Sequence, residues 1–168
     1  FAGDVTINAD SKKLKLGAGD DLLLYHDGSQ SYIAADDLRL TNKAVSETMA
    51  KFLTNGAAEL YYDNVKTFYT TTNGVIVVAG EAGDANLFLH ADEGDDNADK
   101  WLIQSESDGY FALKNYASGA WETSIIATGN AAVELYHNNS KKIETTSAGV
   151  TVTGTVTDDK GNVRSIPQ

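Results

Sequence analysis

Three stretches of the chain carry the same pattern: LLLYHDGSQSYI (22–33), ELYYDNVKTFY (59–69) and ELYHNNSKKIE (134–144). In each, a Leu-Tyr-aromatic run meets a two-residue turn signal (Asp27-Gly28, Asp63-Asn64, Asn138-Asn139) and then a second run. Asp-Gly and Asn-rich pairs tolerate the positive φ angles that a tight hairpin needs, so each stretch predicts a β-hairpin. In this reading Leu24, Leu60 and Leu135 face a core, and Tyr25, Tyr61 and Tyr136 face the opposite side or a neighbouring chain.

The likeness of the second and third stretches extends beyond the hairpin. A shift of 75 residues lays 47–79 over 122–154 with 14 identities in 33 positions, among them Glu-Thr, Glu-Leu-Tyr, Lys, Thr-Thr and Gly-Val. Self-similarity of this kind marks a modular or arrayed architecture in preference to a singular catalytic scaffold. It also resolves an ambiguity. Val45, Met49, Phe52 and Leu53 stand at helical spacing after Thr41-Asn42, but the counterpart, ETSIIA from Glu122 onward, is rich in β-branched residues. Strand is therefore expected across 49–54, with Asn55-Gly56 turning into 57–62 and an irregular or short helical turn around 42–46.

Period-two alternation covers most of the remainder: Val5/Ile7, Leu14/Leu16, Leu22/Leu24, Leu38/Leu40, Val75/Val77, Leu87/Leu89, Trp101/Ile103, Phe111/Leu113 and Val150/Val152. Gly, Asn, Asp and Ser clusters separate these runs at close intervals, as in all-β chains. The organisation expected is a first hairpin region (1–46), a repeat (47–79), an intervening β segment with an acidic loop (80–121), a second repeat (122–154) and a connector (155–168) to a region further downstream. The chain opens at Phe1 and closes on SIPQ, and we expect a piece of a longer polypeptide.

Short hairpins are marginal alone and leave edges open, so something must cover their second face. Stacking within the chain or three copies wrapped about one axis would do so. The fold class expected is all-β, with repeated hairpins forming an elongated, fibre-like β-prism or β-solenoid as an intertwined homotrimer.

Composition narrows the function. The 168 residues carry a net charge of -11 and no basic stripe, which disfavours nucleic acid as a partner. No cysteine is present, which removes thiolate chemistry, and no apolar run approaches the roughly 18 residues of a membrane span. No Gly-x-Ser-x-Gly elbow or phosphate-cradling loop occurs, and no catalytic residue or cofactor is assigned.

Three constellations invite closer reading. Asp95, Asn97, Asp99 and Glu106 occupy positions 1, 3, 5 and 12 of a calcium-loop pattern, yet Lys100 stands where glycine is required and 101–106 alternates like a strand. A solvated acidic turn is the simpler reading, and no metal ligand is assigned. His26 and His137 hold equivalent hairpin positions where the middle copy has Tyr62, so a surface aromatic fits them better than a metal ligand, and His90 beside the acidic loop has no second histidine near it. Tyr116 and Trp121 flank Ser118-Gly119 and would pair across a hairpin, with Tyr110 and Phe111 upstream. Tyr110, Tyr116 and Trp121 are the ligand-binding candidates, weighed against a packing pair that stabilises the turn by about 0.2–1 kcal/mol.

The hairpin stretches, together with NGAAELYYDNVKTFYTTTNGV, ADEGDDNADKW, NAAVELYHNNSKKIETTSAGVTVTGT and VTDDKGNVRSIPQ, resemble repeats in tail-fibre and other structural proteins of marine tailed bacteriophages, particularly those infecting cyanobacteria. The resemblance spans nearly the whole chain and rests on the ordered combination. It implies a virion component, a homotrimeric β-rich tail fibre outside the cell, acting as shaft or adhesin. Its partners would be copies of itself, other tail proteins and a host-surface glycan or protein. Two other classes stay open: an extracellular filament that grows by strand addition, and a polysaccharide-depolymerising tailspike-like enzyme using two of the 24 carboxylates.

Overall fold

The computed structural model describes residues 3–157, 161, 163 and 164. The connector expected over 155–168 therefore lies largely outside the described residues. The protein is all-β. Every sheet is antiparallel, strands follow one another in sequence order, and no sheet closes into a barrel. Among the described residues no helix is long and apolar enough to cross a membrane. The chain divides into two compact units, 1–76 and 77–168.

The first unit opens with a three-stranded sheet of β1 (Lys13–Leu16), β2 (Leu22–His26) and β3 (Ser31–Ala34). Val5 and Ile7 alternate but form no strand. They are exposed, and among the described residues no strand completes a ladder with them. The first hairpin also departs from the two-residue turn expected at Asp27-Gly28. His26 pairs with Ser31, and the connection is 27–30. Asp27 is the reason: its Oδ1 accepts the N–H groups of Ser29 and Gln30, both at 2.8 Å, and its Oδ2 accepts the Tyr32 hydroxyl at 2.9 Å. The carboxylate thus organises a wider loop than a bare Asp-Gly turn.

A five-stranded meander follows: β4 (Asp37–Thr41), β5 (Thr48–Leu53), β6 (Ala58–Tyr62), β7 (Val65–Thr71) and β8 (Gly74–Val77). The strand reading of the ambiguous segment holds, and 42–46 is an irregular turn closed by the Asn42 side chain, whose Oδ1 accepts Ser46 N–H at 3.0 Å.

The second unit is built on a seven-stranded meander, β9 (Ala85–His90), β10 (Lys100–Ser105), β11 (Tyr110–Asn115), β12 (Glu122–Thr128), β13 (Val133–His137), β14 (Ser140–Thr146) and β15 (Gly149–Val152). The segment carrying the acidic loop thus adds three strands to the sheet of the second repeat. A two-stranded pairing of β16 (Val156–Thr157) with β17 (Val163–Arg164) lies beyond it.

The 75-residue repeat is reproduced in its turns, its bulges and its Glu-Tyr-Lys contacts. Asp63-Asn64 and Asn138-Asn139 form two-residue turns with positive φ at both positions, between Tyr62 and Val65 and between His137 and Ser140. The second Asn of each turn reaches across to the neighbouring strand: Asn64 Oδ1 accepts Thr48 N–H and Asn139 Oδ1 accepts Thr123 N–H, both at 2.8 Å. Each hairpin has a register shift, a bulge, between Leu60 and Tyr61 and between Leu135 and Tyr136. The Glu-x-Tyr of one strand meets the Lys of the next. Tyr61 donates to Glu59 and Tyr136 to Glu134, while Lys66 and Lys141 reach the same carboxylates at 3.0 Å.

Cross-strand partners share a face. In the second unit one register line runs through Leu87, Ile103, Leu113, Ile125, Leu135, Ile143 and Val152, an apolar row across all seven strands. In the first unit the corresponding line is Leu40, Ala50, Leu60 and Phe68. The Glu-Tyr-Lys groups lie on the opposite faces, as the sequence sorting of Leu against Tyr anticipates. The expectation of a core is corrected for Leu60, 49% exposed, and Leu135, 39%: each sheet is a single layer, and among the described residues of its own unit no second layer covers these leucines. Among the described residues Ala50, Leu102 and Ala112 are the buried apolar ones, and the small Ala112 is fully enclosed.

Candidate functional site

The aromatic candidates fall on the polar face of the seven-stranded sheet. The connection between β11 and β12 is wider than the two-residue hairpin expected around Ser118-Gly119, because Asn115 pairs with Glu122 and leaves 116–121 as the loop. Asn115 shapes it, accepting Ala117 N–H at 3.2 Å on Oδ1 and donating from Nδ2 to Ser124 Oγ at 3.1 Å. Tyr116 and Trp121 stand at the two ends of this loop with ring centroids 5.0 Å apart and planes inclined at 60°.

The sheet register brings further groups to them. His90 pairs with Lys100, and Tyr116 N–H bonds the Lys100 carbonyl at 3.1 Å, so the three residues lie side by side across β9, β10 and the end of β11. Phe88, two residues before His90 on the same face, completes the set, with its ring 5.7 Å from Trp121 and 6.3 Å from His90. Lys100 Nζ lies 5.7 Å from the centre of the Tyr116 ring, within cation–π range. Phe88, His90, Lys100, Tyr116 and Trp121 together line an open hollow of about 420 Å³. Trp121 keeps 38% of its surface exposed and Phe88 52%.

Tyr110 does not join them. It starts β11 opposite Thr128, six residues and roughly 20 Å along the strand from Tyr116. Phe88, His90 and Lys100 were missed from sequence as members of the site. The alternation of 85–90 and 100–105 was legible, but the register between the two strands was not, and register alone sets Phe88 and His90 beside Tyr116.

The acidic loop joins two of the lining residues, His90 and Lys100. It runs through two short 3-10 turns, Asp92–Gly94 and Asn97–Asp99, and is closed by Ala91 N–H to the Asp99 carbonyl at 3.0 Å. Gly94 has φ +72°, and a Cβ there would come within 2.9 Å of His90 Nδ1. Any other residue at 94 would push the imidazole out of line. The calcium-loop pattern weighed against a solvated turn is parted at Glu106. Asp95 and Asp99 come together with Asp92, their carboxylate oxygens within 4.8 Å of one another, and Glu106 is not in the group. Glu106 is carried away by the extended β10, roughly 20 Å of strand, and pairs instead with Lys114 at 2.7 Å.

His26 and His137 end their strands in exposed positions equivalent to that of Tyr62, which is 79% exposed. The Glu-Tyr-Lys groups are the strongest electrostatic feature elsewhere. Hydrogen bonds from Tyr61 and then Lys66 hold Glu59 below the usual carboxylate range, and those from Tyr136 and then Lys141 do the same for Glu134. Lys141 is pushed up by Glu144 and then Glu134, and Tyr136 by Glu134. These groups neutralise one another across strands.

Comparison with protein-family models, with curated proteins and with solved structures returns no match.

Proposed function

We propose that this chain is a non-enzymatic structural segment of a bacteriophage tail fibre, assembled as a homotrimer and serving as shaft or adhesin at the host surface. The observation that supports this reading most is the uncovered apolar face of each repeated sheet. A row of seven aliphatic residues crossing one sheet, with Leu87, Leu135 and Ile143 each more than a third exposed, is a surface that copies of the same chain would cover. Exposed apolar area of this extent marks an interaction face. The polar face, with its matched Glu-Tyr-Lys groups, suits the outside of such an assembly. Of the two fibre geometries, antiparallel meanders favour a prism of packed sheets over a solenoid, whose coils stack strands in parallel. Three copies at one tip would turn weak contacts with a host glycan or protein into firm attachment through effective concentration.

A second reading, a filament growing by strand addition, draws on the unpaired edges of β4, β8, β9 and β15. Electron microscopy of the purified chain separates the two. Particles of one fixed length with threefold averages support the fibre segment, and filaments of variable length contradict it. Release of reducing ends from a host polysaccharide would instead favour a tailspike-like enzyme.

A further inference from the structure

We propose that the hollow lined by Phe88, His90, Lys100, Tyr116 and Trp121 is a binding site for a neutral pyranose unit of a surface glycan. The inference rests on the adhesin reading and gives it a place and a ligand class. Three observations carry it.

The two copies of the repeat act as an internal control. They agree in strands, bulges, turn asparagines and the Glu-Tyr-Lys groups, which are the parts the sheet needs. They part at the loop that immediately precedes each copy. The 75-residue shift places Ser46 where the second unit has Trp121, and the first unit closes the same connection with Asn42 hydrogen bonds to the Ser46 and Glu47 backbone. Closing the loop therefore does not require an indole. The second unit holds a large ring there, more than a third exposed, and sets Phe88 and Tyr116 against it.

The geometry suits a sugar. Rings inclined at 60° and 48° about Trp121 make a shallow V with apolar walls, on which the C–H face of a pyranose packs, and about 420 Å³ falls within the roughly 300–1,000 Å³ of small-molecule sites. Lys100 and His90 at the rim offer N–H donors to ring hydroxyls. Charge bears on the class: the three carboxylates of Asp92, Asp95 and Asp99, in the loop between His90 and Lys100, outnumber the single Lys100 cation of the lining, and a net negative surround disfavours a carboxylated or sulfated sugar.

The position suits exposure in an assembly. Phe88, His90, Lys100 and Tyr116 share the face opposite the apolar row, so covering that row leaves the hollow open to solvent.

Saturation-transfer NMR with the methyl pyranosides of glucose, galactose and mannose, and with methyl glucuronide, tests the proposal. At least one neutral pyranoside should bind saturably in about the 1 mM range, ahead of the glucuronide. Trp121→Ser, which installs the residue of the other repeat, should weaken it by about tenfold or more, while Trp101→Phe on the opposite face should leave it unchanged. If Trp121→Ser loses the β-sheet spectrum, Tyr116→Ser decides in its place. Absence of saturable binding by every neutral pyranoside, tighter binding of the glucuronide, or undiminished binding by the folded variant overturns the site. The mass of the same samples separates the two readings: a trimer that binds no sugar removes the site and leaves the fibre, whereas a monomer contradicts the fibre whatever the sugars do.

Discussion

Glu134 shows how a charged residue earns its place in a single-layer sheet. Its side chain is four-fifths covered, and it stays ionised because Tyr136 donates to one carboxylate oxygen and Lys141 to the other. Glu59 repeats this with Tyr61 and Lys66. Both carboxyls, and Asp27 under the Gln30 and Ser29 amides and the Tyr32 hydroxyl, titrate below their ordinary values in the folded chain. A carboxylate lowered on folding contributes stability that is present above its unfolded value, about 4.3 for Glu and 3.9 for Asp, and lost as pH falls through the folded one. Thermal melts should therefore fall steeply only on the acid side of that window. The double variant Glu59→Gln, Glu134→Gln should melt lower at neutral pH and lose much of that acid slope; an unchanged slope would show that these groups do not carry it. Tyr136→Phe removes one charge-assisted bond and should cost about 1 kcal/mol in urea unfolding at fixed protein concentration. None of this was readable as chemistry in ELY…K. The motif announced a hairpin, but the bulge after Leu135 decides that Tyr136 faces Lys141, and a bulge leaves no clear mark in sequence.

The hairpins were the most legible elements, because a two-residue Asn turn encodes its own geometry. Asn139 serves twice: it accepts positive φ, and its Oδ1 takes the Thr123 N–H. Asn139→Gly keeps the backbone and loses the bond, at about 1 kcal/mol, whereas Asn139→Ala loses the bond and strains the turn, at about 2–3 kcal/mol. Urea midpoints should rank wild type above Gly above Ala, and Ala equal to Gly would refute the left-handed strain. Sequence reading succeeded at Asp63-Asn64 and Asn138-Asn139 and failed at Asp27-Gly28, where the Asp carboxylate binds the next amides and widens the loop. It failed at Val5 and Ile7 for a different reason. Alternation signals a strand only if a partner strand arrives, and that lies beyond the local pattern. The aromatic loop was half legible: Tyr116 and Trp121 could be paired by spacing, while Phe88, His90 and Lys100 needed the register of β9 against β10.

For the molecule as a whole, the decisive property is what the chain leaves uncovered. Moving an aliphatic side chain from about 40% exposed to buried contributes roughly 1 kcal/mol, so Leu87, Leu135 and Ile143 together supply about 3 kcal/mol per chain, with less from the half-buried rest of the row, towards an association cost of about 4–15 kcal/mol. The row thus offsets part of the cost of assembly, and left open it serves a solitary monomer poorly. A charge set in the row should therefore act on assembly before it acts on the sheet: Leu135→Lys should shift the mass downward while the far-UV spectrum keeps its β character. Retained mass in that variant would remove the row from the interface. The most direct measurement is light scattering of the wild-type chain over a range of concentrations. A steady mass close to three times 17.9 kDa is the result expected of a trimeric fibre segment. A steady mass of one chain would contradict the account, since its apolar faces would then stand open in water with no copy to cover them.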